Sequence, residues 1–189
     1  MFHLTIKMMQ SLDGFIAKAQ NDDLKWGSSV DKLLYKKIST EYGTVIVGKN
    51  TFLQMPKIAF KNRETLVVVR DVKEFINQSK IENAEFGIFT SIKYAVKDNI
   101  TFIESNPNEI ISYLESIYKT KALLVGGGII NNLFLQAGKV NEVQITVAPK
   151  IFGTGIKIFG DNTLNIDLEL QSFDKISDNE VLLTYKVLN

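Results

Sequence analysis

The sequence predicts a three-layer α/β/α fold whose mainly parallel central sheet has an antiparallel C-terminal edge. Two runs, Thr44–Val47 and Leu66–Val69, are apolar without interruption, which is typical of strands buried on both faces. Segments with helical periodicity separate such runs, as in parallel α/β sheets. Near the C-terminus the pattern changes, because 168–173 and 181–187 resemble an antiparallel strand pair joined through Ser177–Asn179.

The same two periods predict the remaining elements. Further strands are expected at the apolar, β-branched runs His3–Met9, Thr65–Val69, Phe86–Phe89, Ala122–Val125 and 143–148. One helix begins near Ser28 or Ser29, either of which can cap it. Its predicted inner face comprises Val30, Leu33, Leu34 and Ile38.

Two more helices have clear ends. Asn106 precedes a proline and lies three residues before Glu109, which is the pattern of a capped helix start. A second helical stripe, from Ile130 to Ala137, is followed by Gly138, a residue that commonly ends helices. We therefore expect ligands beyond the carboxyl ends of the strands, where sheets of this class bind them.

Composition narrows the function classes. The 189 residues fit one domain, 1–189, and a net charge of +1 offers no bulk attraction to nucleic acid or an anionic membrane. No apolar run is long enough to span a bilayer, and the N-terminus lacks a signal peptide pattern, so the expected compartment is the cytoplasm. Without cysteines and with one histidine, thiolate metal sites, multi-histidine metal clusters and a cysteine nucleophile are excluded.

Two segments have the order strand, glycine, helix, which suits phosphate binding at a helix start. They are the turn at Gly48 and the triple glycine at Gly126–Gly128. A P-loop is disfavoured at the first turn, because the residues between Gly43 and Lys49 form a buried strand and Asn50 replaces the required Ser or Thr. The triple glycine lacks the later glycine of the dinucleotide fingerprint, so a plain tight turn remains an alternative there.

Single charged residues have two interpretations each. Lys49 and Arg70 suit phosphate and an adenosine 2′-phosphate respectively, or are solvated surface charges. Asp31 lies in a first helical turn, where the helix dipole favours an acid, so its spacing alone does not indicate a site. Asp13-Gly14 has the composition of an ordinary turn.

The motifs in order resemble dihydrofolate reductase and, more closely in the C-terminal part, the reductase domain of the riboflavin-biosynthesis deaminase-reductase. Residues 11–17 read SLDGFIA, similar to the family's loop over nicotinamide and substrate. Residues 45–52 read VIVGKNTF and residues 125–128 read VGGG, similar to its two cofactor turns. Residues 147–155 read VAPKIFGTG, which is typical of the riboflavin-type branch.

This resemblance implies NADPH as cofactor, with its pyrophosphate between the Gly48 and Gly126 turns. The implied cofactor-binding residues are Met9, Asp13, Gly14, Ile16, Ala17, Gly48, Lys49, Asn50, Thr51, Arg70, Val125, Gly126, Gly127, Gly128, Ile129 and Ile130. The implied substrate-binding residues are Trp26, Asp31, Tyr35, Arg63 and Thr146. Among them Asp31 is the expected catalytic residue, which orients the heterocycle and assists its protonation.

Three functions follow as hypotheses from the resemblance. The leading one is hydride transfer from NADPH to a pteridine or ribosylaminouracil, and the second is a genuine dihydrofolate reductase, which Asp31, Thr146 and Arg63 favour. The third is a non-catalytic module that binds NADPH or a pterin, since Lys49 and Asn131 replace the family's usual arginine and tyrosine.

The resemblance also implies a homodimer, with Ile151, Phe152 and Phe159 as contact candidates unless they complete the core. No nucleic acid, membrane or metal partner is expected, and the substrate is expected to be a small molecule.

Overall fold

The computed structural model describes residues 2–20, 22, 26–161 and 164–188. The strands are β1 His3–Ser11, β2 Phe15–Ala17, β3 Thr44–Gly48, β4 Glu64–Val68, β5 Glu85–Phe89, β6 Ile92–Lys97, β7 Ile100–Glu104, β8 Lys121–Leu124, β9 Glu142–Ala148, β10 Ile156–Lys157, β11 Leu168–Lys175 and β12 Val181–Val187. The helices are α1 Ser29–Tyr42, α2 Lys49–Gln54, α3 Val72–Gln78, α4 Pro107–Ser116 and α5 Gly128–Gln136, with a 3-10 helix at Lys57–Phe60.

Ten strands of the described residues form one sheet in the order β11-β12-β9-β1-β8-β3-β4-β7-β6-β5. The central strands β9, β1, β8, β3, β4 and β7 are parallel, and β12 and β11 add an antiparallel C-terminal edge. This confirms the predicted fold class. The structure adds a second antiparallel edge, β7-β6-β5, and a two-stranded sheet of β2 with β10, neither of which the sequence patterns predicted.

Helices cover the sheet on both faces, and each face has its own hydrophobic core. The uninterrupted run in β3 shows why, because Val45 and Val47 belong to one core while Ile46 between them belongs to the other. Helices α4 and α5 pack on the Ile46 side, and α1, α2 and α3 pack on the Val45 side. Within the described ranges, no helix combines the length and hydrophobicity that crossing a bilayer would need.

Helix α1 begins and ends where its capping residues allow. The Ser28 hydroxyl accepts from the Asp31 N–H, and Gly43 adopts a left-handed φ of 72° after the last turn. The predicted inner face was wrong at one position, because Leu33 is 67% exposed. Ile38 packs against the core as predicted, and Tyr35 and Tyr42 pack beside it, so the inner face of the helix is turned away from Leu33 toward these aromatic residues.

Candidate functional site

A cleft of about 1910 Å³ runs along the carboxyl ends of the central parallel strands, where the fold class predicts a ligand. It is about twice the largest volume usual for one drug-sized ligand, so two molecules can lie side by side in it. One half is bordered by the turns that follow β3 and β8, and we call it the cofactor half. The other half lies between α1 and the 3-10 helix, and we call it the substrate half.

The cofactor half is built around the predicted glycine turns. The Gly48 N–H donates to the Gly126 carbonyl at 2.7 Å, which joins the turn after β3 to the turn after β8. Gly127 is the N-cap of α5 and has no side chain to occupy the first-turn N–H groups of that helix. A Cβ at Gly127 would lie 3.1 Å from the Thr51 hydroxyl, and one at Gly128 would lie 2.2 Å from the Lys157 carbonyl. Glycine is therefore required at position 128 for the two backbones to approach, and a side chain at position 127 would crowd Thr51.

Two cations border the same half. Lys49 and Arg70 both line the cleft, and both are exposed. The nearby Glu104 does not cancel them, because its carboxylate accepts from the Val72 N–H at 2.8 Å and pairs with Lys93 at 2.9 Å. Lys49 and Arg70 could therefore pair with the phosphate groups of a dinucleotide at this end of the cleft, which the carboxylates of Asp71 and Glu74 also line.

The predicted cofactor-binding residues divide into two groups. Those that line the cleft are Met9, Ile16, Ala17, Gly48, Lys49, Asn50, Thr51, Arg70, Val125, Gly127, Gly128, Ile129 and Ile130. Asp13, Gly14 and Gly126 are not among the lining residues. The roles predicted for all of them stay predictions.

Asp13 has a different set of contacts. Its carboxylate accepts from the Ser11 hydroxyl at 2.6 Å and from the N–H groups of Phe152 and Gly153 at 3.1 and 2.7 Å. The Ser11 hydrogen bond first, and the backbone bonds after it, lower the pKa of Asp13. The residue thus ties the loop after β1 to the loop after β9, which contributes Gly155 to the cleft lining.

The substrate half contains a buried ion pair that the sequence analysis missed. The Lys7 ammonium lies 3.2 Å from Asp31 Oδ1 and donates to the Thr146 hydroxyl at 2.8 Å. Leu4 and Ile6 of β1 face the α4–α5 core, so Lys7 points to the opposite face, toward α1. Burial lowers the pKa of Lys7, and the Asp31 charge and hydrogen bond partly oppose that effect.

The ion pair leaves one donor and one acceptor unused. An ammonium has three hydrogens, and only two acceptors, on Asp31 and Thr146, lie near Lys7 among the described residues. Asp31 Oδ2 likewise has no partner in the described part of the chain, and its side chain is 14% exposed to the cleft. The site therefore offers a hydrogen-bond donor next to an acceptor, with no net charge.

The other predicted substrate residues surround this pair. Trp26, Asp31, Tyr35 and Arg63 line the cleft, whereas Thr146 is fully buried behind Lys7. Trp26 packs edge-on against Phe152 at 5.1 Å between ring centroids. The Tyr35 hydroxyl donates to the Ala59 carbonyl, and burial raises the pKa of Tyr35 to about 12.

Arg63 makes its hydrogen bonds inside the protein. Its Nε donates to the Ser39 hydroxyl at 2.7 Å, and its two terminal nitrogens donate to the carbonyls of Lys61 and Lys36. The residue is 4% exposed. These contacts join the end of α1 to the start of β4, and the predicted role in substrate binding stays a prediction.

The predicted dimer contacts are spread over different environments. Ile151 is 73% exposed, Phe152 packs on Trp26, and Phe159 packs against the core between the sheet and α5. Of the three, only Ile151 is a free apolar surface, and the homodimer stays a prediction.

Comparison with known proteins agrees with this fold and cleft. The profile of the RibD C-terminal domain family matches residues 2–182. YyaP of Bacillus subtilis (strain 168) is 20% identical over 182 residues, which cover 96% of this chain and 93% of YyaP.

Two solved structures share the fold at low identity. A diaminohydroxyphosphoribosylaminopyrimidine deaminase/5-amino-6-(5-phosphoribosylamino)uracil reductase from Thermotoga maritima has a TM-score of 0.71 at 18% identity, over 99% of this chain and 57% of its own. Dihydrofolate reductase from Enterococcus faecalis has a TM-score of 0.68 at 16% identity, over 99% of this chain and 97% of its own. The family match over nearly the whole length confirms the resemblance: the chain belongs to the RibD C-terminal domain family.

Proposed function

We propose that this protein is an NADPH-dependent reductase that acts on the C=N bond of an aminouracil-type substrate. The observation that carries the proposal is the Lys7–Asp31 ion pair, which lies in the same cleft as a glycine-built cofactor half. Family membership supports the reductase class, and the donor and acceptor left by the ion pair support the substrate class.

The residues of the cofactor half fit a dinucleotide phosphate. The first-turn N–H groups of α5 and the Thr51 hydroxyl would hold the pyrophosphate, because glycine at positions 127 and 128 keeps that approach free of side chains. Arg70 and Lys49 would pair with the 2′-phosphate. When bound, this cofactor supplies the hydride.

Reduction of a C=N bond also requires a proton on nitrogen, and Lys7 is placed to give it. Because burial lowers its pKa, the Lys7 ammonium is a stronger proton donor than an exposed lysine. Asp31 Oδ2 would accept a ring N–H next to that nitrogen and so orient the heterocycle. Thr146 holds the ammonium from behind at 2.8 Å, which limits the positions that Lys7 can take.

The ion pair also separates two substrate classes. In an imine of a 6-aminouracil, the ring N1–H lies next to the imine nitrogen, so a donor and an acceptor are adjacent and match Asp31 and Lys7. The 2-aminopyrimidine edge of a folate presents two donors and needs two free carboxylate oxygens, but Lys7 already occupies Oδ1 of Asp31. Dihydrofolate reductase activity therefore remains only a second candidate, which Asp31 itself favours.

Cofactor binding is the first test. Titration of the protein with NADPH and NADH, followed by nicotinamide fluorescence, should show tighter binding of NADPH. Replacement of Arg70 by Ala should weaken NADPH binding about 10- to 100-fold, the usual effect of losing one charge-assisted hydrogen bond, and should leave NADH binding unchanged. Lys73→Ala is the matched control, because Lys73 is an exposed cation nearby that does not line the cleft.

Substrate turnover is the second test. NADPH oxidation should be faster with the imine form of 5-amino-6-(5-phosphoribosylamino)uracil than with dihydrofolate. The reverse order would favour the dihydrofolate reductase alternative. Tight NADPH binding without turnover of either compound would favour the non-catalytic alternative, and absence of binding to both nucleotides would refute the reductase proposal.

A further inference from the structure

Glu180 is a buried carboxylate that lies outside the cleft. It directly precedes β12 at the end of the turn from β11, and it is 4% exposed. No lysine or arginine in the described ranges pairs with it. Its Oε2 instead accepts from the hydroxyls of Ser28 and Ser177 at 2.9 and 3.0 Å. A carboxylate without a cation is costly to bury, so these hydrogen bonds require an explanation.

The Ser28 hydroxyl connects Glu180 to the candidate site. Ser28 donates its hydrogen to Glu180, which turns its oxygen lone pairs toward the Asp31 N–H, 3.0 Å away. Glu180 therefore fixes the rotation of the hydroxyl that caps α1. The backbone of Asp31 is held at the third position of the helix by this bond.

The same hairpin also holds the other side of the ion pair. Strand β12 pairs with β9, and Leu182 lies directly opposite Thr146 in that pairing. Thr146 accepts from Lys7, and Lys7 contacts Asp31. The contacts thus form a closed ring that returns through Ser28 and Glu180 to the start of β12.

We infer that Glu180 is a positioning residue, which acts through Ser28 to hold Asp31 at the correct distance from Lys7. The catalytic consequence rests on the proposed function, whereas the positioning itself does not. The C-terminal hairpin, which contributes no residue to the cleft lining, would thereby determine the geometry of the donor and acceptor that meet the substrate.

Glu180→Ala, Glu180→Gln and Ser28→Ala test the inference, with Glu169→Ala as a control at an exposed carboxylate of β11. At saturating NADPH, Glu180→Ala and Ser28→Ala should each lower kcat on the order of 10- to 100-fold, as expected for a displaced reacting group. The Kd for NADPH should not change. Glu180→Gln should restore most of the activity, because its amide oxygen can accept from both serines.

The double variant of Glu180→Ala and Ser28→Ala should have a kcat no lower than that of either single variant, because both substitutions interrupt the same contacts from Glu180 through Ser28 to Asp31. Losses that multiply would overturn the inference. So would a Glu180→Ala protein that unfolds at lower temperature yet keeps the kcat and KM of the Glu169→Ala control.

Trp26 provides a readout that does not depend on activity. It is the only tryptophan of the chain and lies two residues before Ser28. Glu180→Ala should shift its emission to longer wavelength and increase quenching by acrylamide, and Glu180→Gln should do neither. If the wild-type protein reduces no substrate, the proposed function fails but this measurement still decides the inference, since unchanged Trp26 emission in Glu180→Ala would overturn it.

Discussion

Replacement of Lys7 by Met should convert the substrate half into a site for 2,4-diaminopyrimidines. The substitution keeps an unbranched side chain, one heavy atom shorter, and removes its charge, so both oxygens of Asp31 become available to a ligand. Trimethoprim presents a cationic donor pair that binds a free carboxylate through two parallel hydrogen bonds. In the wild-type protein one of those oxygens is occupied by the Lys7 ammonium at 3.2 Å.

The expected magnitude follows from one hydrogen bond gained. A hydrogen bond between charged groups contributes about 1.5–3 kcal/mol, so the Kd of trimethoprim should fall about 10- to 100-fold in Lys7→Met. Turnover of the aminouracil should fall at least about 100-fold, because the proton donor is lost. Removing one partner of a fully buried ion pair costs about 3–5 kcal/mol of stability. The loss in Lys7→Met should be smaller, since Asp31 faces the cleft and can be hydrated.

Isothermal titration with trimethoprim, in the presence of NADPH, measures the effect. Lys186→Met is a matched control, because Lys186 is an exposed lysine on strand β12. A folded Lys7→Met protein that binds trimethoprim no better than this control would show that Lys7 does not restrict Asp31. Asp31 would then be as open to a folate as to an aminouracil.

Three further predictions concern stability. Burial lowers the pKa of Lys7 from 10.5, so between the lowered pKa and pH 10.5 the unfolded chain binds more protons than the folded one. The free energy of unfolding, measured in urea, should therefore rise with pH across that window in the wild type and not in Lys7→Met. Gly128→Ala should abolish NADPH binding or folding, because the new Cβ would lie 2.2 Å from the Lys157 carbonyl. Gly138→Ala is the control: its Cβ would meet open space at a φ of 62°, so thermal unfolding should show a loss of only about 1 kcal/mol in the free energy of unfolding. Arg63→Met should lower the free energy of unfolding by about 2–4 kcal/mol and leave NADPH binding intact. A stable variant impaired only toward dihydrofolate would instead support the predicted substrate role of Arg63.

The fold was largely predictable because its central strands and its turns have strong local signals. Uninterrupted apolar runs identified β3 and β4, alternation identified β9, and the two runs on either side of Ser177–Asn179 identified the pair of β11 and β12. Strands β6 and β7 were missed, since Ile92–Lys97 mixes polar and apolar residues without a clear period and Ile100–Glu104 is short. Helix α3 was also missed, although Asp71 caps it, because Val72–Gln78 is too short to establish a helical period.

The parts of the candidate site that are formed by backbone turns were predictable from the sequence. The parts formed by side chains that are distant in sequence were not. The glycine turns at 48 and 126–128 carry their signal in sequence. Lys7 looked like an ordinary polar residue within the apolar run His3–Met9, because nothing local shows that its strand lies at the centre of the sheet. A lysine in a central strand is buried and needs a partner of opposite charge. The pairing of Lys7 could therefore be predicted only with the knowledge that β1 lies between two other strands of the sheet. The partners Asp31 and Thr146 are 24 and 139 residues away.

The central position of β1 has a consequence for how the chain is made. Its two neighbours in the sheet, β8 and β9, begin at Lys121 and Glu142, so β1 has no partner in this sheet until more than a hundred further residues have emerged. The strands β3, β4 and β7 are contiguous in the sheet and can pair with each other earlier. Vectorial folding on the ribosome would then begin in the middle of the sequence, and Lys7 would meet Thr146 only after the last helix had been made.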